Sequence, residues 1–531
     1  MATALSTESC ARAGGLLALD LAPQAPLQCP ADLAPRGACC RGPGVPPEVT
    51  RLATPARPHY AIRHLFACLC LVAVSFAAAL TGPTREEVLQ RLAGDARVED
   101  FSEASAPGIS IADKDLSQTS WRNADLRGVV FQRVRLDSAI LAGASLRGAV
   151  LDDVSLADAD LTGADLSGAR IRLANLAGAR MDDTQILGTS FQLVLLSPNG
   201  GTHGEALRLA LEKACGQTFT RAWVSGLSGE AFAFVYNTED AGFWPGTPFT
   251  ASPFEAAAQA LGLGVRTRLD VGAERFLLGG EELPPGVHVL PMEYDQTGLW
   301  MLRNMPLWGV VASRHADEQR HTYLSLTLPP FGERTMREAE LMAGWTGPWH
   351  TLQPAGAMNV RARRPLISFT PPDAIATVAT QAGVALRRVA PMVGEKRTYG
   401  PLVPGAAGLT RLAADLRAVA QSGDAEQGKA LALWEQFPRQ CLLGARTEAC
   451  RFLEEALPAL GPDREGYTRE ALALYQGEVQ ALRELWPSLA AGLGGDTATL
   501  VANYTRAADL VAKLAADERA AAQLLAQAAG E

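Results

Sequence analysis

Apolar residues recur at every fifth position along one long stretch of the chain. The sixteen positions are Leu116, Trp121, Leu126, Phe131, Leu136, Leu141, Leu146, Leu151, Leu156, Leu161, Leu166, Ile171, Leu176, Met181, Ile186 and Phe191. The residue two places before each is Ala, Val or Thr, except that Lys114 precedes Leu116. An α-helix repeats its faces about every 3.6 residues and a strand every two residues, so neither explains this pattern. A strict period of five instead predicts a chain that turns a corner every five residues and closes a four-sided coil.

Coils of this kind would stack through backbone hydrogen bonds about 4.8 Å apart, with the apolar positions inside. The sixteen units give roughly four coils. Because a stacked sheet exposes unpaired backbone groups at each end, both ends need a cover. We expect residues 82–113 to supply one cap, with TREEVLQRLAG as a short amphipathic helix, and the next domain to supply the other. Only about five residues separate repeat and domain, which favours a fixed docking of the domain's first elements.

The segments NADLR, GADLSG and LANLAG resemble the pentapeptide-repeat family, whose pattern is a small residue, Asp or Asn, Leu and two variable residues. The resemblance covers residues 114–196 and implies a right-handed quadrilateral β-helix. Some members of this family are similar to a DNA duplex in shape and charge and bind topoisomerases. Residues 114–195 hold ten acidic and nine basic side chains, so their charges nearly cancel. This balance disfavours a DNA mimic, which needs a strongly acidic surface.

The N-terminal part has the composition of a leader. Residues 1–58 contain nine prolines and no sustained apolar period, which predicts a disordered segment or an over-extended start. Residues 59–81 join a basic flank to an apolar run and small residues, the order found in signal peptides. We therefore expect export to the periplasm or the cell exterior. A membrane anchor formed by residues 65–80 is the alternative.

Mixed helix and strand patterns follow over residues 200–400, and residues 401–531 read as almost wholly helical. GLSGEAF, FWPGTPF and PLWGVV resemble a papain-like or peptidase-C39-like α+β domain of the butirosin-biosynthesis acyltransferase group. In that family a cysteine begins the first helix and a later histidine takes its proton. The matching segment here, GGTHGEAL, has no cysteine. We expect a binding groove near Gly226, Ser228, Phe232 and Trp244 instead of the family's catalytic site.

Three residues are the candidates for catalysis. Cys215 ends the first helix of this region, where the helix dipole disfavours a thiolate, so a packed core thiol is the competing interpretation. His315 and His321 flank charged residues in SRHADEQRHTY and could form a base with its orienting group, but a solvated loop explains them as well. Cys441 and Cys450 could form a disulfide in an oxidising compartment or remain two buried thiols.

Composition limits the possible functions without choosing one. The chain has 531 residues, 48% of them hydrophobic, which suits a multidomain globular protein. Its net charge of −9 argues against a general nucleic-acid binder. We predict an exported binding protein whose partner is another protein or peptide, with no cofactor, no metal and no nucleic acid. The alternatives are a cysteine-dependent hydrolase or acyltransferase with a displaced site and a DNA-mimicking topoisomerase binder.

Overall fold

The computed structural model describes residues 82–94, 99–192, 194, 203–238, 243–244, 252–268, 286–292, 307–316, 322–337, 346–348, 361–363, 366–394, 402–422, 442–492 and 497–530. The predicted leader and signal segment, residues 1–81, lie outside this set. Among the described helices, none combines the length and the apolar character that crossing a membrane requires.

Five short parallel strands form one face of a β-solenoid. They are β1 (Ser110–Ala112), β2 (Val130–Arg135), β3 (Val150–Ser155), β4 (Arg170–Arg172) and β5 (Ser190–Gln192). Each residue pairs with the residue 20 positions later, so Ile111 pairs with Phe131 and Phe131 with Leu151. Isolated parallel bridges repeat the same step on three further faces, starting at residues 100, 105 and 115. The four ladders confirm the predicted coil, and the solenoid has about four turns.

The five-residue register forms the solenoid core. Fourteen of the sixteen predicted inward side chains, from Leu116 to Met181, are at most 2% exposed, and Ile186 and Phe191 pack against them partly buried. The core also extends further toward the N-terminus than predicted. Phe101, Ala106 and Ile111 are buried in the same register, and the Phe101 ring stacks on Trp121 at 4.3 Å. Much of the segment predicted as a cap is therefore solenoid.

A short helix, α1 (Arg85–Leu92), is the N-terminal cap that the sequence predicted. Thr84 and Glu87 form a capping box, in which each side chain accepts a hydrogen bond from the other residue's backbone N–H. Val88 and Leu92 face the solenoid core. Their burial covers the apolar end of the first coil.

A six-stranded antiparallel sheet follows the solenoid. Its order is β12 (Glu333–Arg337), β11 (Thr322–Thr327), β10 (Leu307–Ala316), β9 (Val287–Met292), β15 (Leu366–Thr370) and β8 (Gly264–Arg268). One face, including Val289, Trp308 and Phe369, packs against helices α2 (His203–Cys215), α4 (Pro253–Leu261) and α5 (Val378–Val393). Alternate residues point to opposite faces of a strand, so the neighbours of these residues face the other way. The architecture is α+β, with helices packed on one face of an antiparallel sheet, and nothing in it confirms a papain-like fold.

The opposite face of this sheet covers the C-terminal end of the solenoid. Leu290, Met292 and Leu307 join the apolar cluster that contains the solenoid core. The turn between β11 and β12 docks as well, since Met181 N donates to Pro330 O at 3.2 Å. The domain therefore caps the last coil, as expected, but the cap consists of the sheet and the β11–β12 turn. The expectation that the domain's first elements form this cap is wrong.

Smaller strands complete the region. β6 (Val235–Asn237) lies between β7 (Phe243–Trp244) and β16 (Leu402–Pro404), and β13 (Thr346–Pro348) pairs with β14 (Arg361–Arg363). Between α2 and β6 lies α3 (Arg221–Ser228), which is followed by a 3-10 turn at Glu230–Phe232.

The C-terminal region is helical. It comprises α6 (Gly405–Ser422), α7 over residues 442–456, α8 (Pro462–Gly492) and α9 (Thr497–Ala529). α9 packs against α5, α6 and α8. One apolar cluster contains Leu207 of α2 and Leu525 of α9. The predicted boundary at residue 400 therefore passes through a shared core and does not separate two domains.

Candidate binding groove

A groove of about 380 Å³ lies between one side of the solenoid and helices α7 and α8. The solenoid wall carries hydroxyl and amide groups from Ser117, Ser138 and Asn175. The helical wall carries Arg451 and Arg483. In the whole lining, five arginines accompany three carboxylates. The groove is thus a polar, arginine-rich cleft between two different structural walls.

The repeat explains why this side of the solenoid is polar. Inward positions are fixed by the five-residue register, so the remaining side chains point outward and stack one coil above another. Asp115 and Arg135, which lie one coil apart, form an ion pair with 3.2 Å between Oδ2 and Nη1. Arg135 also lies 3.4 Å from Asp137, whose other oxygen accepts a hydrogen bond from Ser155. These contacts hold the charged side chains of the wall in place.

Arg221 lines the groove and joins its two walls. Thr220 caps α3 by accepting a hydrogen bond from Trp223 N, which places Arg221 in the first helical turn. Arg221 Nη1 donates to Asp158 Oδ1 at 2.6 Å and to the carbonyl of Ala177 at 2.7 Å. Its Nη2 donates to Glu448 Oε1 of α7, also at 2.6 Å. One guanidinium therefore connects the solenoid, α3 and α7.

The electrostatics of this junction favour the ionised state. Burial of Arg221 opposes its charge, but the carboxylates of Glu448 and Asp158 outweigh burial and raise the pKa of the guanidinium. Arg451 reinforces the junction, lying 3.3 Å from Asp158 and 3.5 Å from Glu448. Charge-assisted hydrogen bonds of this kind are stronger than neutral ones, particularly away from water.

The candidate nucleophile is a packing residue. Cys215 lies at the end of α2, partly buried, and packs against the helix and sheet core. Burial raises the pKa of its thiol, which disfavours the reactive thiolate. His315 lies on β10, where its backbone pairs with Tyr323, but its side chain lies outside the described residues, as does all of His321. The structure therefore supports the core-thiol interpretation of Cys215.

Three of the four expected binding residues lie in the interior. Gly226, Ser228 and Phe232 are buried, so they cannot line an open groove. A side chain at Gly226 would collide with the ring of Phe452, which shows that this glycine permits close helix packing. Phe232 packs edge-on against Phe452 at 5.9 Å between ring centres. Trp244 lies on β7, and its side chain is outside the described set. The expectation of a binding groove lined by Gly226, Ser228 and Phe232 is therefore wrong.

A buried polar cluster occupies the start of α2, which the resemblance assigns to the missing cysteine. His203 Nε2 shares a hydrogen bond with Glu230 Oε1, and Ser228 Oγ donates to Glu230 Oε2 at 3.2 Å. The carboxylate lies between the hydroxyl and the imidazole. A hydrolytic relay needs the imidazole next to the hydroxyl, so this order does not provide one. The cluster ties α2 to the 3-10 turn.

A second buried cluster was missed by the sequence reasoning. Arg446 of α7 forms ion pairs with Glu478 of α8 and Glu518 of α9, and its Nη1 donates to the carbonyl of Ala231 at 3.0 Å. All three side chains are at most 1% exposed. Burial, followed by the charge of Glu518, raises the pKa of Glu478 well above its usual range. On helices rich in Arg and Glu, no local signal distinguishes such residues from solvated ones.

Cys450 is the second cysteine that the structure describes. Cys450 is a free, buried thiol, and its pKa is raised to about 12, mainly by burial. Its proposed disulfide partner, Cys441, lies outside the described residues. Among the side chains that the structure describes, no group of His, Cys, Asp and Glu could hold a metal ion.

The repeat segment is similar to known proteins. The profile of pentapeptide repeats matches residues 115–148, 130–168, 139–178 and 159–197. Among solved structures, a pentapeptide repeat protein of the Arabidopsis thaliana thylakoid lumen is 27% identical, with 19% of this chain and 63% of that chain covered and a TM-score of 0.12. QnrB1, a plasmid-mediated fluoroquinolone resistance protein, is 26% identical over 18% of this chain and 45% of its own, also with a TM-score of 0.12.

HetL of the cyanobacterium Nostoc sp. strain PCC 7120, a protein involved in heterocyst differentiation regulation, is 22% identical. The match covers 21% of this chain and 82% of HetL, with a TM-score of 0.09. No curated protein matches the chain. Residues 115–197 are a pentapeptide-repeat segment, and the described part of this segment folds as a β-solenoid.

Proposed function

We propose that the protein works by binding an acidic segment of another protein in the groove between the solenoid and α7 and α8. The observation that carries the proposal is the groove itself, which is open, polar and built from two walls that Arg221 holds together. A fixed cleft loses little ordering entropy on binding, which favours recognition.

The groove's chemistry supports a peptide occupant. Hydroxyl and amide groups on the solenoid wall can pair with the backbone of an extended segment, and arginines opposite them can pair with carboxylates. Arginine is also enriched where protein interfaces concentrate their binding energy. An acidic segment uses both walls at once.

The α+β region enters the proposal as a papain-like domain without its nucleophile. Its support is the helix α2, which packs across an antiparallel sheet and begins at His203 where the resemblance expects cysteine. The raised pKa of the Cys215 thiol weighs against the alternative of a cysteine-dependent enzyme.

Export through residues 59–81 also belongs to the proposal, and the sequence pattern of that segment is its support. Sequencing the N-terminus of the mature protein tests it. We expect a chain that begins after Ala79, and a mature chain beginning before residue 60 would contradict export.

The solenoid surface weighs against the DNA-mimic alternative. Its carboxylates pair with arginines one coil away, including Asp113 with Arg133 at 2.6 Å and Asp152 with Arg172 at 2.8 Å. These pairs break up the continuous negative surface that a duplex mimic needs.

Selection from a random peptide library displayed on phage tests the proposed function. Ser138→Trp would fill the groove, whereas Asn123→Trp places the same side chain at another exposed corner of the solenoid, where Asn123 donates a hydrogen bond to Glu103. Both corners have positive φ, 58° and 55°, so the two changes are matched in backbone conformation. We expect acidic peptides that bind the wild type and Asn123→Trp but not Ser138→Trp. Peptides that bind all three proteins equally would show that the groove is not the site.

A further inference from the structure

Among the described residues, Arg483 is the groove arginine that forms no ion pair. Arg133 pairs with Asp113, Arg135 with Asp115, and Arg221 and Arg451 with Asp158. Arg483 of α8 has no ion pair or hydrogen bond with any described residue, although it lines the same groove. We propose that Arg483 and Arg135 together hold one anionic group of the ligand, a carboxylate or a phosphate. This inference rests on the proposed function of the groove.

The positive charges of Arg483 and Arg135 lie near each other in the groove. Burial lowers the pKa of Arg483, and the charge of Arg135 lowers it further, whereas the smaller effects of Asp137 and Asp115 raise it. Two guanidinium groups that share a half-buried space repel each other. An anion between them removes the repulsion and gains charge-assisted hydrogen bonds with both.

Neutral donors beside the two arginines complete the site. Ser138 lines the groove, and its hydroxyl makes no hydrogen bond with a described residue. Asn175 uses its Oδ1 to accept from Ala177 N at 3.0 Å, which leaves its amide N–H groups for a ligand. By contrast, Ser117 Oγ already donates to Asp115 at 2.6 Å. The free donors and the two guanidinium groups suit a single carboxylate or phosphate with several acceptor oxygens.

The lining suits a single anionic group better than a long polyanion. Asp137, Asp153 and Glu448 also line the groove and would repel a long run of negative charge. One anionic group, flanked by neutral or hydrogen-bonding groups, is what the mixed lining accommodates. The acidic segment of the proposed function would therefore place one key carboxylate or phosphorylated side chain here.

Calorimetric titration of the full chain with inorganic phosphate and, separately, with succinate tests the anion site. Arg483→Met removes the charge and keeps the apolar stem. Arg469→Met is the matched control, because Arg469 lies on the same helix, is exposed, and pairs with Glu465 outside the groove. We expect saturable binding that weakens with added salt, an at least tenfold loss in Arg483→Met and no change in Arg469→Met. If neither anion binds saturably, or if Arg483→Met binds the anions as tightly as the wild type does, the inference is overturned.

The two anions also distinguish the possible sources of the ligand group. Tighter binding of phosphate points to a phosphorylated side chain, and tighter binding of succinate points to Asp, Glu or a chain terminus. Titrating matched peptides that contain phosphoserine or glutamate at one position then confirms the assignment.

Failure of this inference differs from failure of the proposed function. Peptides that Ser138→Trp excludes but Arg483→Met still binds would keep the groove as a peptide site and remove the anion site. Anion binding that depends on Arg483, without any peptide binding, would keep the anion site and contradict the peptide proposal.

Discussion

The guanidinium of Arg221 occupies the space beside Gly178 in which a side chain would otherwise stand. Gly178 is a corner residue of the solenoid with a φ of +73°, and Asp158, the ion-pair partner of Arg221, lies one coil away at an equivalent corner. The missing Cβ therefore allows the helical wall of the groove to dock against the solenoid.

Replacing Gly178 with alanine tests this docking. Gly163→Ala is the matched control, because Gly163 has a similar φ of +68° and open space around it. Both changes carry the strain of a left-handed residue, about 1–2 kcal/mol, but only Gly178→Ala also collides with Arg221 and Asp158. We expect a larger loss of unfolding free energy in urea for Gly178→Ala, and faster proteolysis within α7. Equal losses in the two variants would show that Arg221 does not depend on this space.

Inward and outward positions of one repeat unit should respond differently to charge. Leu161 is fully buried in the solenoid core, so Leu161→Asp places an unpaired charge there and should cost several kcal/mol, roughly 3 or more. Thr162 is only partly buried and donates to Asp160, so Thr162→Lys should cost about 1 kcal/mol or less. Thermal melts of the two variants measure the difference. Similar midpoints would contradict the assigned register.

Glu478 should titrate above the ordinary range of a glutamate, because burial and the charge of Glu518 raise its pKa. Its pKa in the folded state is raised, so the folded protein binds a proton that the unfolded chain releases above about pH 4.3. The stability from this group is therefore full below that pH and is lost as the pH rises through the folded-state pKa. We expect Glu478→Gln to flatten the dependence of stability on pH above about pH 4.3, as measured by urea unfolding at several pH values. An unchanged pH profile would contradict the raised pKa of Glu478.

The stability of the protein should depend far more on Arg446, the cation of that cluster. Arg446→Met leaves Glu478 and Glu518 buried without their cation, which typically costs about 3–5 kcal/mol. Glu478→Gln keeps a neutral hydrogen-bonding group and should cost much less. A melting comparison of both variants at neutral pH checks this, and a milder effect of Arg446→Met would show that the cluster is open to water.

The thiols should be slow to react in the folded protein. Burial raises the pKa of both Cys215 and Cys450, so the reactive thiolate is scarce at neutral pH. Iodoacetamide labelling followed by peptide mass spectrometry should show protection of both residues in buffer and modification in urea. Rapid labelling of native Cys215 would favour the alternative of a cysteine-dependent enzyme.

The sequence predicted the solenoid well because each side chain's direction depends on a local register. The first coil was missed because Ala106 replaces a large apolar residue and Lys114 interrupts the small positions, although Ile111 keeps the period. The six-stranded sheet and the helices were predicted more coarsely, since their patterns show what each element buries but not which elements it packs against.

The groove could not be predicted in the same way. Arg135 and Arg483 are far apart in the sequence and meet only because the helical region packs against the solenoid. The glycine-rich segment GLSGEAF misled the sequence reasoning for a related reason. Its glycines indicated close approach of another group, and the group that approaches Gly226 is the ring of Phe452 rather than a ligand.

The 20-residue step of the ladders restricts how this protein can change in length. Inserting one five-residue unit between Asp158 and the last coil would advance the chain by one side of the coil, so every later residue would be turned a quarter-turn relative to Asp158. Asp158 would then no longer face Arg221, and the two walls would separate even though each coil remained well packed. Lengthening the solenoid without losing the cleft requires the insertion to lie before the residues of the cleft, so a new coil placed before residue 113 would leave the cleft and its junction unaltered.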